Sequence, residues 1–170
     1  MSRIVTFKGA PLTLIGKRIK LGQRAFDFKL ISPELKMVKL SDFDGKIKVI
    51  NFFPSLDTPV CDLQVKEFNQ RATQLSSEVV VIGISKDLPF AQARFCSANE
   101  IKNEIVLSDY RSSSFGLNYG FLIKELNLLA RGTLIIDQSQ CIRYIQVVEE
   151  ITHSVNFNEV FSALTELLEA

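Results

Sequence analysis

The chain of 170 residues has no tryptophan, one histidine and three cysteines. The lone His153 would need three distant partners to make a Cys/His zinc site, and no Cys-x-x-Cys spacing exists, so no structural zinc is expected. Three cysteines are too few, and odd in number, for an extracellular disulfide framework; each reads as core filler, ligand or reactive thiol in a reducing, cytoplasmic setting. Charge of one sign is also missing: 20 Lys plus Arg stand against 19 Asp plus Glu, a net charge of +1. That balance speaks against a nucleic-acid binder, which carries a basic stripe, and against a polybasic membrane surface. Long apolar runs are absent as well. The stretches Ile47–Phe53, Val79–Ile84 and Leu134–Ile136 fall far short of the roughly 18 residues of a spanning helix. Met1–Lys8 contains no continuous apolar segment and no small-residue cleavage site, so no secretory signal is expected.

What is present suits one compact unit. Hydrophobic residues make up 46% of the chain, and no repeat or Pro/Gly/Ser linker divides it, so 1–170 reads as a single domain. Ile4–Phe7 and Leu12–Ile15 flank a turn and predict an N-terminal hairpin within 1–16. Phe26–Leu30 and Met37–Leu40 read as extended pieces around Ser32-Pro33-Glu34. Ile47–Phe53 reads as a buried strand stopped by Pro54. Beyond it Cys61, Val65, Phe68, Ala72 and Leu75 recur at helical spacing, which puts them on one face. Val79–Ser85 predicts a strand, Asp87 a cap ahead of Pro89 for a helix reaching about Ala98, and Ile105–Leu107 a short strand. A short helix in 112–119 bounded by Gly120, a hairpin of Thr133–Ile136 with Ile142–Val148, and a last helix with Asn156 and Glu159 as capping box complete the series. This order predicts an α/β fold: a mixed central sheet, parallel in part, with helices on both faces and an N-terminal β-hairpin extension.

Cys61 sits where an open loop becomes a helix, after a strand expected at the sheet's centre. Unpaired N–H groups and the positive end of the helix dipole favour an anion there, and hence thiolate. From position alone the residue reads equally well as a small side chain on the buried helix face. Thr58, three residues earlier, is close enough in a first turn to aim its hydroxyl at the sulfur, and Pro54 and Pro59 restrict the path of the loop. The combination of Pro54, Thr58 and Cys61 favours the nucleophile.

The segment Pro54-Ser55-Leu56-Asp57-Thr58-Pro59-Val60-Cys61 resembles the active-site signature of peroxiredoxins. The wording continues through Ser85-Lys86-Asp87-Leu88-Pro89-Phe90-Ala91-Gln92-Ala93-Arg94-Phe95-Cys96, Leu107–Arg111 and Leu128–Gly132. Across nearly the whole chain it is similar to the bacterial thiol peroxidases, the atypical two-cysteine peroxiredoxins of thioredoxin-like fold. The resemblance implies Cys61 as the peroxidatic cysteine and Cys96 as the resolving one. It also implies Arg131 as a fixed cation beside the thiolate. Cys141 and His153 receive no role.

A thiol-dependent peroxidase is therefore expected, reducing hydrogen peroxide and organic or lipid hydroperoxides through a sulfenic acid and an intrachain disulfide. Thioredoxin as reductant, a homodimer, and no metal, haem, flavin or nicotinamide are what the resemblance implies. Phe52 and Phe53, beside the loop, would suit an apolar approach to the site. Two other readings stay open at this point: a disulfide oxidoreductase acting on proteins, which the lack of Cys-x-x-Cys weakens, and a peroxide-sensing thiol protein that does not turn over.

Overall fold

The computed structural model describes residues 3–169; Met1, Ser2 and Ala170, which belong to the expected 1–170 domain and 1–16 hairpin, lie outside the described residues. Strands β1 (Ile4–Phe7) and β2 (Ala10–Ile15) come first, then β3 (Lys29–Ile31), β4 (Met37–Lys39) and β5 (Ile47–Phe52). Helix α1 (Pro59–Ala72), β6 (Val79–Ser85), α2 (Pro89–Ala98), β7 (Ile105–Ser108) and α3 (Ser114–Tyr119) follow. The chain then forms β8 (Leu122–Ile123), β9 (Leu128–Leu129), β10 (Gly132–Ile136), β11 (Ile142–Val147) and α4 (Phe157–Glu169). No helix among the described residues is long and apolar enough to cross a membrane.

A seven-stranded sheet runs in the order β11-β10-β5-β6-β7-β3-β4, parallel at β5/β6 and β6/β7 and antiparallel elsewhere. The parallel pairs are joined through α1 and α2, as crossovers require. Every residue of β5 is buried, which is why its apolar run lacks the alternation of a half-exposed strand. On one face α1, α2 and α4 cover the sheet: Val49, Val81 and Ile135 pack with Phe68, Val160 and Leu164. Nearer the C-terminal ends of the parallel strands, Phe53, Cys61, Val65 and Val106 pack together with Phe95 and Cys96. The opposite face holds Ile50, Phe52, Ile84 and Leu134 against α3 and the hairpin residues Leu12 and Leu14. There Phe52 stacks on Phe121 with ring centroids 4.2 Å apart.

A second sheet of four strands, β1-β2-β8-β9, carries the hairpin beside this core. Its two-residue strands β8 and β9 have no sequence signature of their own; β8 forms because β2 offers an edge, and β9 because β8 then does. Gly120 ends α3 at φ +77, a left-handed backbone that glycine adopts without penalty. Three local expectations need correction. Leu75 lies beyond the end of α1. Leu40 leaves β4 to open a 3-10 turn. Asp87 does not cap α2: the N-cap is Leu88, without a side-chain bond, because the Asp87 carboxylate turns toward the loop before α1. At α4 the Glu159 N–H donates to Asn156 Oδ1 at 3.0 Å, one half of the expected box.

Candidate active site

The loop between β5 and α1 is held from the side. Asp87 accepts from Ser55 Oγ at 2.7 Å and from the Leu56 N–H at 2.8 Å. Ser85 Oγ donates to the same carboxylate at 2.6 Å. A single acid at the end of β6 therefore ties the loop ahead of Cys61 to the start of α2, the helix bearing Cys96. Pro59 occupies the first helical position, where a missing N–H costs nothing. Cys61 follows in the first turn, and the residue is completely buried.

Above that turn lies a cavity of about 550 Å³ lined by Pro54, Thr58, Val60, Arg131, Phe7 and Leu128, among others. Pro54 and Thr58, from one short motif, thus meet Arg131, from a distant part of the sequence, at one place, with Cys61 one residue beyond Val60. Arg131 is 2% exposed and enters from the residue before β10. Its Nε donates to Ile151 O at 2.9 Å and its Nη1 to Gln64 Oε1 at 3.0 Å. No partner among the described residues takes its Nη2. Thr58 departs from expectation. Its hydroxyl hydrogen goes to Ser55 O at 3.1 Å and not to the sulfur, since the turn of the loop brings that carbonyl round beneath it. Its lone pairs alone remain for another group.

Phe52 and Phe53 do not form the approach either; both are fully buried in the core. Phe7, Leu126, Leu128 and Ile151 supply the apolar lining instead. Phe7 belongs to the hairpin, which Glu150 pins over the site. That carboxylate accepts from the Gly9 N–H at 2.9 Å, the Lys8 N–H at 3.1 Å and Thr6 Oγ1 at 2.9 Å. It also accepts from Thr152 N–H at 3.0 Å and Oγ1 at 2.7 Å. These bonds hold its ionised form well below the usual carboxylate range, Gly9 contributing most.

Cys96, in α2, belongs to the same apolar cluster as Cys61, and both are unbonded thiols. Burial, and secondarily the charge of Glu104, push the Cys96 thiol up to about 11. Cys141, also free, lies at the β10–β11 turn with its sulfur 3.9 Å from Ser139 O. His153 is likewise absent from the cavity lining. No group of three or more His, Cys, Asp or Glu among the described residues is placed to hold a metal ion.

Sequence reasoning missed Gln64, Asp87 and Glu150. Gln64 carried a signal: three residues after Cys61, it is a polar residue on the buried helix face, and it is 1% exposed. Glu150 carried none, since the hairpin residues it holds lie more than 140 residues away along the chain.

Comparison with known proteins identifies the family. The Redoxin family model matches residues 20–164. The chain is 44% identical over 160 residues to a thiol peroxidase of Oceanobacillus iheyensis, covering 94% of this chain and 97% of the relative. It is 43% identical over 164 residues to a thiol peroxidase of Bacillus subtilis, covering 96% and 98%. Among solved structures, a peroxiredoxin-like protein from Aquifex aeolicus superposes with a TM-score of 0.92 at 39% identity, over 98% of both chains. A thiol peroxidase from Chromobacterium violaceum, 20% identical, shares the fold with a TM-score of 0.87 over 99% of both chains. The mixed sheet with flanking helices is thus the thioredoxin-like fold, and the catalysed reaction is thiol-dependent reduction of peroxide. The chain belongs to the thiol peroxidases of the Redoxin family.

Proposed function

We propose that Cys61 is the peroxidatic cysteine, Cys96 the resolving cysteine, and Pro54, Thr58 and Arg131 the groups that receive the hydroperoxide. The observation that carries this reading is the meeting of Pro54, Thr58 and Arg131 around one cavity at the first turn of the helix that bears Cys61. The Cys61 thiolate attacks one peroxide oxygen and the O–O bond breaks. Sulfur is oxidised to the sulfenic acid, and the departing oxygen leaves as an alkoxide or hydroxide that takes a proton. Negative charge moves from sulfur to oxygen on the way, so donors already in place stabilise the transition state more than the ground state. Arg131 offers Nη2 for that purpose and is held by two other bonds that reaction need not disturb. Thr58 Oγ1, its hydrogen committed to Ser55, accepts the O–H of the incoming peroxide.

Cys96 then attacks the sulfenic sulfur, the S–O bond breaks, water leaves and an intrachain disulfide remains. Two Cα atoms must lie within about 7 Å for that bond; with one thiol on each helix, we expect an end of α1 or α2 to unwind. Asp87, which ties the loop before α1 to the start of α2, couples the two movements. A dithiol protein of the thioredoxin type restores the pair by exchange. The apolar lining suits organic and lipid hydroperoxides beside hydrogen peroxide. We further propose one domain spanning the chain, a homodimer and a cytoplasmic location. The direct test treats the reduced protein with one equivalent of cumene hydroperoxide and maps the disulfide by mass spectrometry. A Cys61–Cys96 link within one chain is expected; a link through Cys141, or none, would refute the pairing.

A further inference from the structure

A line of buried polar groups crosses the helix-covered face of the sheet, starting from the guanidinium. Arg131 Nη1 donates to Gln64 Oε1 at 3.0 Å. Gln64 Nε2 in turn donates to Phe52 O at 3.2 Å and faces Asn51 Oδ1 at 3.5 Å. Asn51 Nδ2 donates to Ile82 O at 3.2 Å and to Glu104 Oε1 in a short bond. All four side chains belong to buried residues, Glu104 the most exposed at 6%. The direction of each link is forced. Arginine can only donate and the carbonyls of Phe52 and Ile82 can only accept, so neither amide can turn over without setting like groups face to face. Link by link, from Arg131 Nη1 through Gln64 and Asn51, the donors therefore run away from the active-site cavity and toward one carboxyl.

Space for that carboxyl comes from Gly83 on β6, the residue paired with Asn51 across the parallel strands. A Cβ there would stand 2.7 Å from Glu104 Oε1. Four polar residues in an otherwise apolar layer are costly to bury, and such networks specify one arrangement when each link is made. The end of the cluster that lies inside the active-site cavity is Arg131.

We propose that Glu104 is a positioning residue of the peroxidase: through Asn51 and Gln64 it fixes the Arg131 guanidinium in the orientation that meets the hydroperoxide. The proposal rests on the role given to Arg131 above. Removing the carboxyl deprives Asn51 Nδ2 of its second acceptor and leaves space beside it, so the amide, held by Ile82 O alone on that side, can shift and loosen Gln64 beneath Nη1. Burial lifts the Glu104 carboxyl to about 8, against the opposing pull of the Asn51 bond, so it is mainly neutral at pH 7. Its other oxygen, Oε2, is buried without a partner among the described residues, the place for the acid proton. Glutamine reproduces that neutral acid: one acceptor for Asn51 and one donor. The other titratable groups on this side are the Cys96 thiol from α2 and, across the cavity of about 460 Å³ that both line, Glu34 and Asp42.

The test is a double-mutant cycle read as the second-order rate constant for hydrogen peroxide at pH 7, with thermal unfolding as a check on folding. Glu104→Gln is expected within about twofold of wild type. Glu104→Val should lose roughly tenfold, since small misplacements of an oriented group are costly in rate. Gly83→Ala, which crowds the carboxyl while leaving it in the chain, should fall in the same direction and serves if Glu104→Val does not fold. In an Arg131→Ala background, already slow, either change should add less than twofold, because the two residues act through one group. Equal losses in both backgrounds, or wild-type rates for both Glu104→Val and Gly83→Ala, would overturn the proposal, as would a tenfold loss in Glu104→Gln. Failure of the parent reading shows separately, as a wild-type chain that consumes no peroxide or an Arg131→Ala variant as fast as wild type.

Discussion

Replacing Arg131 by lysine keeps the positive charge and removes the fork. In the native protein the guanidinium gives Nε to Ile151 O and Nη1 to Gln64 Oε1, and Nη2, taken by no described residue, is the donor proposed for the substrate. A lysine ammonium is one compact donor group on a flexible stem and cannot reproduce that spread. If it bonds one of the two acceptors, the other loses a bond to a charged donor, at about 1.5–3 kcal/mol of stability. That is a fraction of the roughly 5–15 kcal/mol that keeps a domain folded, so the variant remains measurable. The kinetic loss is larger in consequence. Removing a donor preset for charge that develops in the transition state costs about 10²–10³ in rate, and the ammonium spent on Ile151 or Gln64 no longer faces the peroxide. The assay is competition for hydrogen peroxide against a haem peroxidase, which reads the Cys61 rate constant without tryptophan fluorescence, a signal this chain lacks. An Arg131→Lys variant that is folded and reacts within threefold of wild type would refute the reasoning, since charge alone would then suffice.

The Glu104 acid makes stability depend on pH. Its folded pKa, about 8, is raised above the ordinary 4.5, so the stability it contributes is complete below 4.5 and is lost as pH rises through 8. Wild type should therefore weaken relative to Glu104→Gln between pH 5 and 9, by several kcal/mol at most, in urea denaturation followed by circular dichroism; parallel curves would contradict this. Glu150 has the opposite sign: its folded pKa is depressed, so its hold on the hairpin exists above about 4.5 and fades as pH falls below it. Glu150→Gln should speed amide exchange at Lys8, Gly9 and Thr152 at pH 7, and unchanged protection there would count against the pin. Cys96, raised from 9.0 to about 11, should alkylate about 100-fold more slowly at pH 8 in the folded reduced protein than in urea, as its thiolate fraction dictates. Equal rates would show that the thiol is not buried in the cluster beneath α2 as described.

The parts of the fold that were legible in the sequence are those with local periodicity. The apolar run of β5, the spacing of Cys61, Val65 and Phe68 and the β10–β11 hairpin each state their own structure. Strands β8 and β9 do not, because two residues carry no pattern and only the pairing of β8 with β2, and of β9 with β8, makes them strands. At the site, Pro54, Thr58 and Cys61 are one short motif, whereas Arg131 drew attention only through the family likeness. Asn51 interrupts the apolar run of β5 and Gln64 falls on the buried face of α1, but Glu104 follows Lys102 and Asn103 with no local sign of burial, and their mutual contact depends on Gly83 opening a slot across the sheet. Asp87 was misread because a residue near a helix start has two possible customers, the helix's own N–H groups and a neighbouring loop. Ser55 and Leu56, from another part of the chain, won. Thr58 was misdirected for a similar reason: a carbonyl three residues back, brought round by the turn, takes the hydroxyl hydrogen ahead of the sulfur.

The most direct test of the account asks which sulfur the peroxide oxidises. Reduced Cys96→Ser protein, given one equivalent of cumene hydroperoxide in the presence of a sulfenic acid trap, should carry the label on Cys61 alone, and Cys61→Ser should consume no peroxide. A label on Cys141, or undiminished consumption by Cys61→Ser, would place the chemistry elsewhere in the molecule.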